Sequence, residues 1–260
     1  MSGSAVECER DGGVTLLRLA RPERMNALTD EIKSELCELI PQFFDDPTAR
    51  CLLITGSGAA FCAGGELRSL ATGPTPAQTR GRLERSHRWA HLLMTGEKPV
   101  IMAVNGAAAG AGFGLALLGD ITVASDSAYF LPGFTSIAVA ADLAVALTLP
   151  RAVGVPRAKE ILFRNRRIEA PEAAHMGLIS AVYPAAELLP AAMQLARQLA
   201  CGPTLSIGLT KSLIHQSYEL SLEGYLAAEI AAQMQAFSSS DCREGVDAFF
   251  AKRSPRFTGS

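Results

Sequence analysis

Cys51-Leu52-Leu53-Ile54-Thr55-Gly56-Ser57-Gly58-Ala59-Ala60-Phe61-Cys62-Ala63-Gly64-Gly65-Glu66-Leu67 decides the fold class. The run Cys51 to Thr55 is apolar and β-branched and reads as a strand. The glycines behind it permit tight backbone turns. The pattern returns downstream, where Val100-Ile101-Met102-Ala103-Val104 reads as another strand and Asn105 to Gly114 as a second glycine-rich loop. Gly114 to Leu118 is then predicted as a helix, Ile121-Thr122-Val123-Ala124 as a strand, and the stretch around Gln78 to Leu93 as a polar helix between the two loops. Strand, loop and helix in repeated succession predict an α/β class.

Working outward, Val14-Thr15-Leu16-Leu17-Arg18-Leu19 reads as a strand that ends at Arg21-Pro22, where proline cannot continue a ladder. Thr29 is a plausible N-cap for an amphipathic helix with Ile32, Leu36, Leu39 and Ile40 on one face. From Ala185 the pattern is helical, over about Ala185–Leu199, Thr204–Gln216, Leu222–Phe237 and Cys242–Lys252. Cys201-Gly202-Pro203 is the expected division between a core, residues 1–200, and a helical region, residues 201–260. Leu222, Tyr225, Leu226, Ile230 and Met234 of that region need a surface to cover them.

The 260-residue chain has 48% hydrophobic and 19% charged residues, a composition that excludes general disorder. Its net charge of -2 and lack of a basic run argue against nucleic acid as a partner. The N-terminal Met1 to Gly13 lacks a basic start and an apolar core, so no secretory signal is expected. The six scattered cysteines form no C-x-x-C pair, which fits reduced thiols in the cytoplasm. Pro99 to Gly119 is uncharged and about long enough to span a bilayer, but Asn105 and its many glycines favour a buried strand, loop and helix.

Familiar motifs fail. Gly110-x-Gly112 would need its third glycine at Leu115, and neither a phosphate-binding P-loop nor G-x-S-x-G occurs. His87 and His91 stand one helical turn apart near Glu84, yet no further ligand cluster accompanies them, so no metal is expected. The two glycine-rich loops could aim backbone N–H groups at one point and form an oxyanion hole, or they could be tight turns only.

Arg21-Pro22-Glu23-Arg24-Met25-Asn26-Ala27-Leu28, Ala60 to Leu67, and Lys98 to Gly112 resemble the enoyl-CoA hydratase/isomerase (crotonase) superfamily. Arg151 to Gly154, Ala174 to Ile179 and Arg243 to Arg253 extend the resemblance over nearly the whole chain. It implies a crotonase-like spiral of strand-strand-helix units with a C-terminal helical region, an acyl-CoA substrate, no separate cofactor, and a homotrimer or dimer of trimers. It places the backbone N–H groups of Gly65 and Ala111 at the thioester oxygen. It also places Arg24, Asn26, Ala27, Leu28, Ala63, Glu66, Leu67, Pro132, Phe134 and Lys252 along the substrate groove.

Hydratases of this family use two glutamates, and the matching positions here are Gly114 and Phe134. Asp142 is the replacement candidate, the only charged residue from Ser127 to Pro150. Its apolar neighbours predict a desolvated carboxyl suited to moving a proton; the competing role is an N-cap for a helix over 143–149. Phe130-Leu131-Pro132-Gly133-Phe134 followed by Asp142 resembles the isomerase branch that includes ring-epoxide isomerases of phenylacetyl-CoA breakdown, in which an aspartate moves a proton. Asp142 also matches the nucleophile of the family's dehalogenases, with His87 near their histidine. Gly65 stands where those have an aromatic residue, which disfavours that reading. The expected activity is acyl-CoA isomerisation with Asp142, Gly65 and Ala111 as catalytic residues. The alternatives are an enoyl-CoA hydratase with a non-standard base and a non-catalytic CoA-binding protein. Acyl-chain selection is expected from the Ala71 to Arg88 helix and the Leu131 to Asp142 region.

Overall fold

A computed structural model describes residues 3–67, 71 and 73–260 of the chain. Two sheets form its frame. The larger comprises β1 (Val6–Asp11), β2 (Val14–Leu19), β3 (Cys51–Gly56), β5 (Val100–Val104), β7 (Ile121–Ser125) and β10 (Ala181–Tyr183), in the order β1-β2-β3-β5-β7-β10. The smaller comprises β4 (Ala60–Cys62), β6 (Ala107–Ala109), β8 (Tyr129–Leu131) and β9 (Ile168–Glu169), in the order β4-β6-β8-β9. Successive pairs β3/β4, β5/β6 and β7/β8 therefore give one strand to each sheet, and β3-β5-β7 and β4-β6-β8 run parallel. Each return to the next parallel strand needs a crossover. That repetition is the spiral of strand-strand-helix units.

The helices are α1 (Asp30–Asp45), α2 (Pro76–Thr95), α3 (Ala111–Ala116), α4 (Val145–Val153), α5 (Val155–Phe163), α6 (Ala170–His175), α7 (Ala185–Ala200), α8 (Thr204–Gln216), α9 (Leu222–Ser238) and α10 (Ser240–Phe250). Strand period explains the layering. Leu52 and Ile54 of β3 join the main core with Ile32, Leu36 and Ile40 of α1, whereas Cys51 and Leu53 face Leu188, Ala192 and Ala196 of α7. Both faces of β3 are thus covered, as its unbroken apolar run requires. Thr29 caps α1, accepting the Ile32 N–H at 3.3 Å.

Two expectations need correction. The second loop passes into its helix at Ala111 rather than Gly114, so Gly112 and Gly114 are helical. Their glycines serve close approach: a Cβ on Gly112 would lie 2.0 Å from the Cys62 carbonyl oxygen, and one on Gly114 would lie 2.6 Å from Leu143 Cβ. The helix expected over 143–149 begins at Val145, with Ala144 rather than Asp142 at its N-cap. Thr72 of the expected Ala71–Arg88 helix lies outside the described residues, and the described helix runs Pro76–Thr95.

Pro99 to Gly119 resolves into β5, β6 and α3, and no described helix is long and apolar enough to cross a membrane. The described cysteines are all unpaired. A buried ion pair ties α8 to the larger sheet: Lys211 Nζ donates to the Leu93 carbonyl at 2.7 Å and to Asp120 Oδ2 at 2.9 Å, and the same oxygen accepts the Val100 N–H at 2.8 Å. Burial pushes the Asp120 carboxyl up despite Lys211, and pushes the Lys211 ammonium down despite Asp120. Helix α9 has no buried residue among its seventeen, and Leu222, Ile230, Met234 and Phe237 are each more than 60% exposed.

Candidate active site

Three loop segments meet at the mouth of the smaller sheet. Leu28 forms a parallel bridge with Gly65, its N–H donating to the Gly64 carbonyl at 2.7 Å, and the Ala63 N–H donates to Met25 at 3.0 Å. Gly110 donates its N–H to the Leu131 carbonyl at 2.9 Å. Gly64 has a left-handed φ of +95°, and a Cβ there would lie 2.6 Å from the Ala109 carbonyl and 3.2 Å from the Ala111 nitrogen. A Cβ on Gly133 would stand 3.6 Å from the Gly110 nitrogen. The 2.6 Å approach makes glycine necessary at 64, whereas at 133 the left-handed φ of +75° favours it. Among the described residues, the N–H groups of Gly65 and Ala111 donate no hydrogen bond, which leaves two main-chain donors on adjoining loops.

The Arg24–Leu28 turn forms one wall. Met25 and Asn26 both have positive φ, at 50° and 54°. Asn26 fixes this turn: wholly buried, it donates to the Ser57 and Ala60 carbonyls at 2.8 and 2.7 Å and accepts the Arg21 N–H at 2.9 Å. Its amide is satisfied within the protein, so the side chain shapes the turn. Leu28 is buried as well, Ala27 and Ala63 are half-buried, and Leu67 is 57% exposed. Arg24 reaches across to Glu66 at 3.2 Å. Pro132 and Phe134, which follow β8, are buried, and Phe134 belongs to the main core. Lys252 lies exposed beyond α10 and makes no described contact with these loops.

Asp142 reaches the site from the segment between β8 and α4. Its apolar sequence neighbours do not enclose it: Thr135 to Ala140 are exposed, and the Asp142 side chain is 36% accessible. The carboxyl is oriented instead by local geometry. Oδ1 accepts the Leu143 N–H at 2.7 Å and faces His87 Nε2 of α2 at 3.7 Å. Leu143 and Ala144, with φ of 46° and 57°, hold this bend in a region costly for residues bearing a Cβ. The bend packs on α3, because a Cβ on Gly114 would meet the Asp142 carbonyl at 3.1 Å as well as Leu143. Asp142 thus sits against the helix that opens with the Ala111 N–H, and the place of a side chain at 114 is filled by the 142–143 backbone.

Sequence reading missed the residues that brace this region. Asn165 accepts the Gly133 N–H at 2.5 Å and donates to Ser136 Oγ at 2.6 Å, tying the 133–136 loop to the end of α5. Lys33 of α1 and Arg82 of α2 also approach: burial lowers the Lys33 ammonium, Arg82 pushes it the same way, and the Asp142 charge opposes the shift. No motif flags these positions, since four separate segments supply them.

A sequence model described as "Enoyl-CoA hydratase/isomerase" matches residues 9–260. The chain is 43% identical over 250 residues to 1,2-epoxyphenylacetyl-CoA isomerase of Escherichia coli, covering 95% of each. It is 35% identical over 228 residues to 4-chlorobenzoyl coenzyme A dehalogenase-1 of an Arthrobacter species, covering 86% of this chain and 83% of that one. A crystal structure of an enoyl-CoA hydratase from Polaromonas sp. JS666 superposes with a TM-score of 0.93 at 33% identity, over 97% of this chain and 99% of that one. Likeness of this extent, in a spiral whose crossing glycine loops carry two donors unpaired among the described residues, makes the chain a member of the enoyl-CoA hydratase/isomerase family.

Proposed function

We propose that the protein is an acyl-CoA isomerase that shifts a double bond by proton transfer through Asp142. The observation that carries the reading is the packing of the Asp142 bend where a side chain at 114 would stand. Gly114 offers no acid–base group, and the Asp142 carbonyl lies 3.1 Å from where a Cβ on Gly114 would be, so residue 142 borders the same helix. For a β,γ-unsaturated acyl thioester, Asp142 removes a proton from C2. The electron pair moves toward the thioester oxygen, where the Gly65 and Ala111 N–H groups stabilise the dienolate. Return of a proton at C4 places the double bond between C2 and C3. No net oxidation occurs, so the reaction calls for no redox cofactor.

The same reading gives the CoA portion to the Arg24–Leu28 turn, with Ala63, Glu66 and Leu67 beside it and Lys252 as a phosphate-seeking cation. It places the enzyme in the cytoplasm as a homotrimer or dimer of trimers, for which the exposed apolar residues of α9 supply a surface. The deciding experiment is Asp142→Asn. Asparagine keeps the shape but is a poor base, so turnover should fall by ~10² or more with acyl-CoA binding retained. Native turnover in this variant would refute the mechanism, and a hydrated product from the native enzyme would favour hydration instead.

A further inference from the structure

We infer that His87 is the group through which Asp142 exchanges its proton with solvent, so that the proton returned to substrate is drawn largely from water. This rests on the isomerase reading of Asp142. His87 Nε2 lies 3.7 Å from Asp142 Oδ1, and the side chain is 57% exposed against 36% for the aspartate. The histidine is therefore the more exposed of the pair and offers the carboxyl a path to bulk water. That separation exceeds a direct hydrogen bond; a small rotation of either side chain, or one bridging water, closes it.

The other charged groups near Asp142 are unsuited to the task. Arg82 keeps its proton under all ordinary conditions. Lys33 is enclosed, its side chain only 16% exposed, and it approaches Asp30 Oδ1 at 3.7 Å rather than opening to water. Imidazole alone among the groups facing Asp142 carries a proton donor and a proton acceptor on one ring, so it can take a proton at one nitrogen and release one from the other. With a proton taken from C2 of the substrate, the Asp142 O–H passes it to His87 Nε2, and the imidazolium releases its Nδ1 proton to water. A solvent proton entering by the reverse route recharges Asp142 before delivery at C4. No electrons are gained or lost, and the imidazole is regenerated.

The test follows 3-hexenoyl-CoA in D2O and reads deuterium at C4 of the 2-enoyl product by mass spectrometry. The native enzyme should incorporate deuterium extensively. His87→Gln should slow exchange of the Asp142 proton by ~10² and leave C4 mostly protium while turnover continues. Added imidazole should restore incorporation in His87→Gly, a rescue that a merely structural role would not give. Native turnover without deuterium at C4, or unchanged incorporation in His87→Gln, overturns the inference and leaves the isomerase reading standing. Absence of isomerisation by the native enzyme overturns both.

Discussion

Lys211→Met tests the anchorage of the C-terminal helices. The substitution keeps an unbranched side chain but removes the ammonium that bonds Leu93 and Asp120 at 2.7 and 2.9 Å. Lys211 is 7% exposed, so its partners gain little water in return, whereas the Asp120 side chain is 26% exposed and is partly rehydrated. Removing one partner of a buried ion pair costs about 3–5 kcal/mol, and the accessibility of Asp120 places the expected loss at the lower end, ~3 kcal/mol. For a chain of this size, that lowers Tm by roughly 6–12 °C at fixed protein concentration. Thermal unfolding followed by circular dichroism, with urea midpoints as a second measure, reads the change. Adding Asp120→Asn removes the stranded carboxylate while leaving an oxygen to accept the Val100 N–H, so the double variant should recover about 2 kcal/mol. A single variant within ~0.5 kcal/mol of native, or a double variant less stable than the single, would refute the argument from desolvation.

Gly64→Ala should lower turnover by about 10²–10³, the cost of losing an oxyanion donor, because its methyl group would intrude between the Gly65 and Ala111 loops; native kinetics would separate these loops from the chemistry. Brief alkylation near pH 8 followed by peptide mass spectrometry should label exposed Cys8 and Cys201 and spare Cys51 and Cys62, whose thiols burial pushes up to about 12. Glu244 is held down to about 2, first by its hydrogen bonds from Arg253 and then by the Arg256 N–H. Because folding depresses this group, its stabilisation is present above its ordinary value of 4.5 and is lost as pH falls toward about 2. Glu244→Gln should therefore flatten the acid limb of a stability profile across that window, and an unaltered limb would contradict the assignment.

The larger sheet was legible because Val14–Leu19, Cys51–Thr55, Val100–Val104 and Ile121–Ala124 are long enough to display strand character. The smaller sheet was not. Its strands Ala60–Cys62, Ala107–Ala109 and Tyr129–Leu131 are three residues each and sit inside loops, and their pairing joins segments far apart in sequence. The glycine loops were readable as such, but the reason for Gly112 and Gly114 lay in what packs against them, Cys62 and Leu143, which spacing does not disclose. Asp142 stood out by its isolation among apolar residues. Its surroundings were misread for the same reason, since neighbours along the chain are not neighbours in space: Ile137 and Val139 are 43% and 40% exposed, and the nearest ionisable partner comes from α2.

The close contact between α3 and the 142–143 bend makes two ways of equipping this pocket mutually exclusive. A carboxylate grafted at 114 would begin with its Cβ 2.6 Å from Leu143 Cβ and 2.9 Å from the Leu143 carbonyl, both parts of the bend that presents Asp142. Accepting the new side chain would push that bend outward and carry Asp142 with it. A designer or a lineage passing from one chemistry to the other cannot accumulate both acids and discard one later. The 142–143 bend must shift in the same step, so the obstacle to carrying both acids lies in main-chain rearrangement rather than in the number of side chains exchanged.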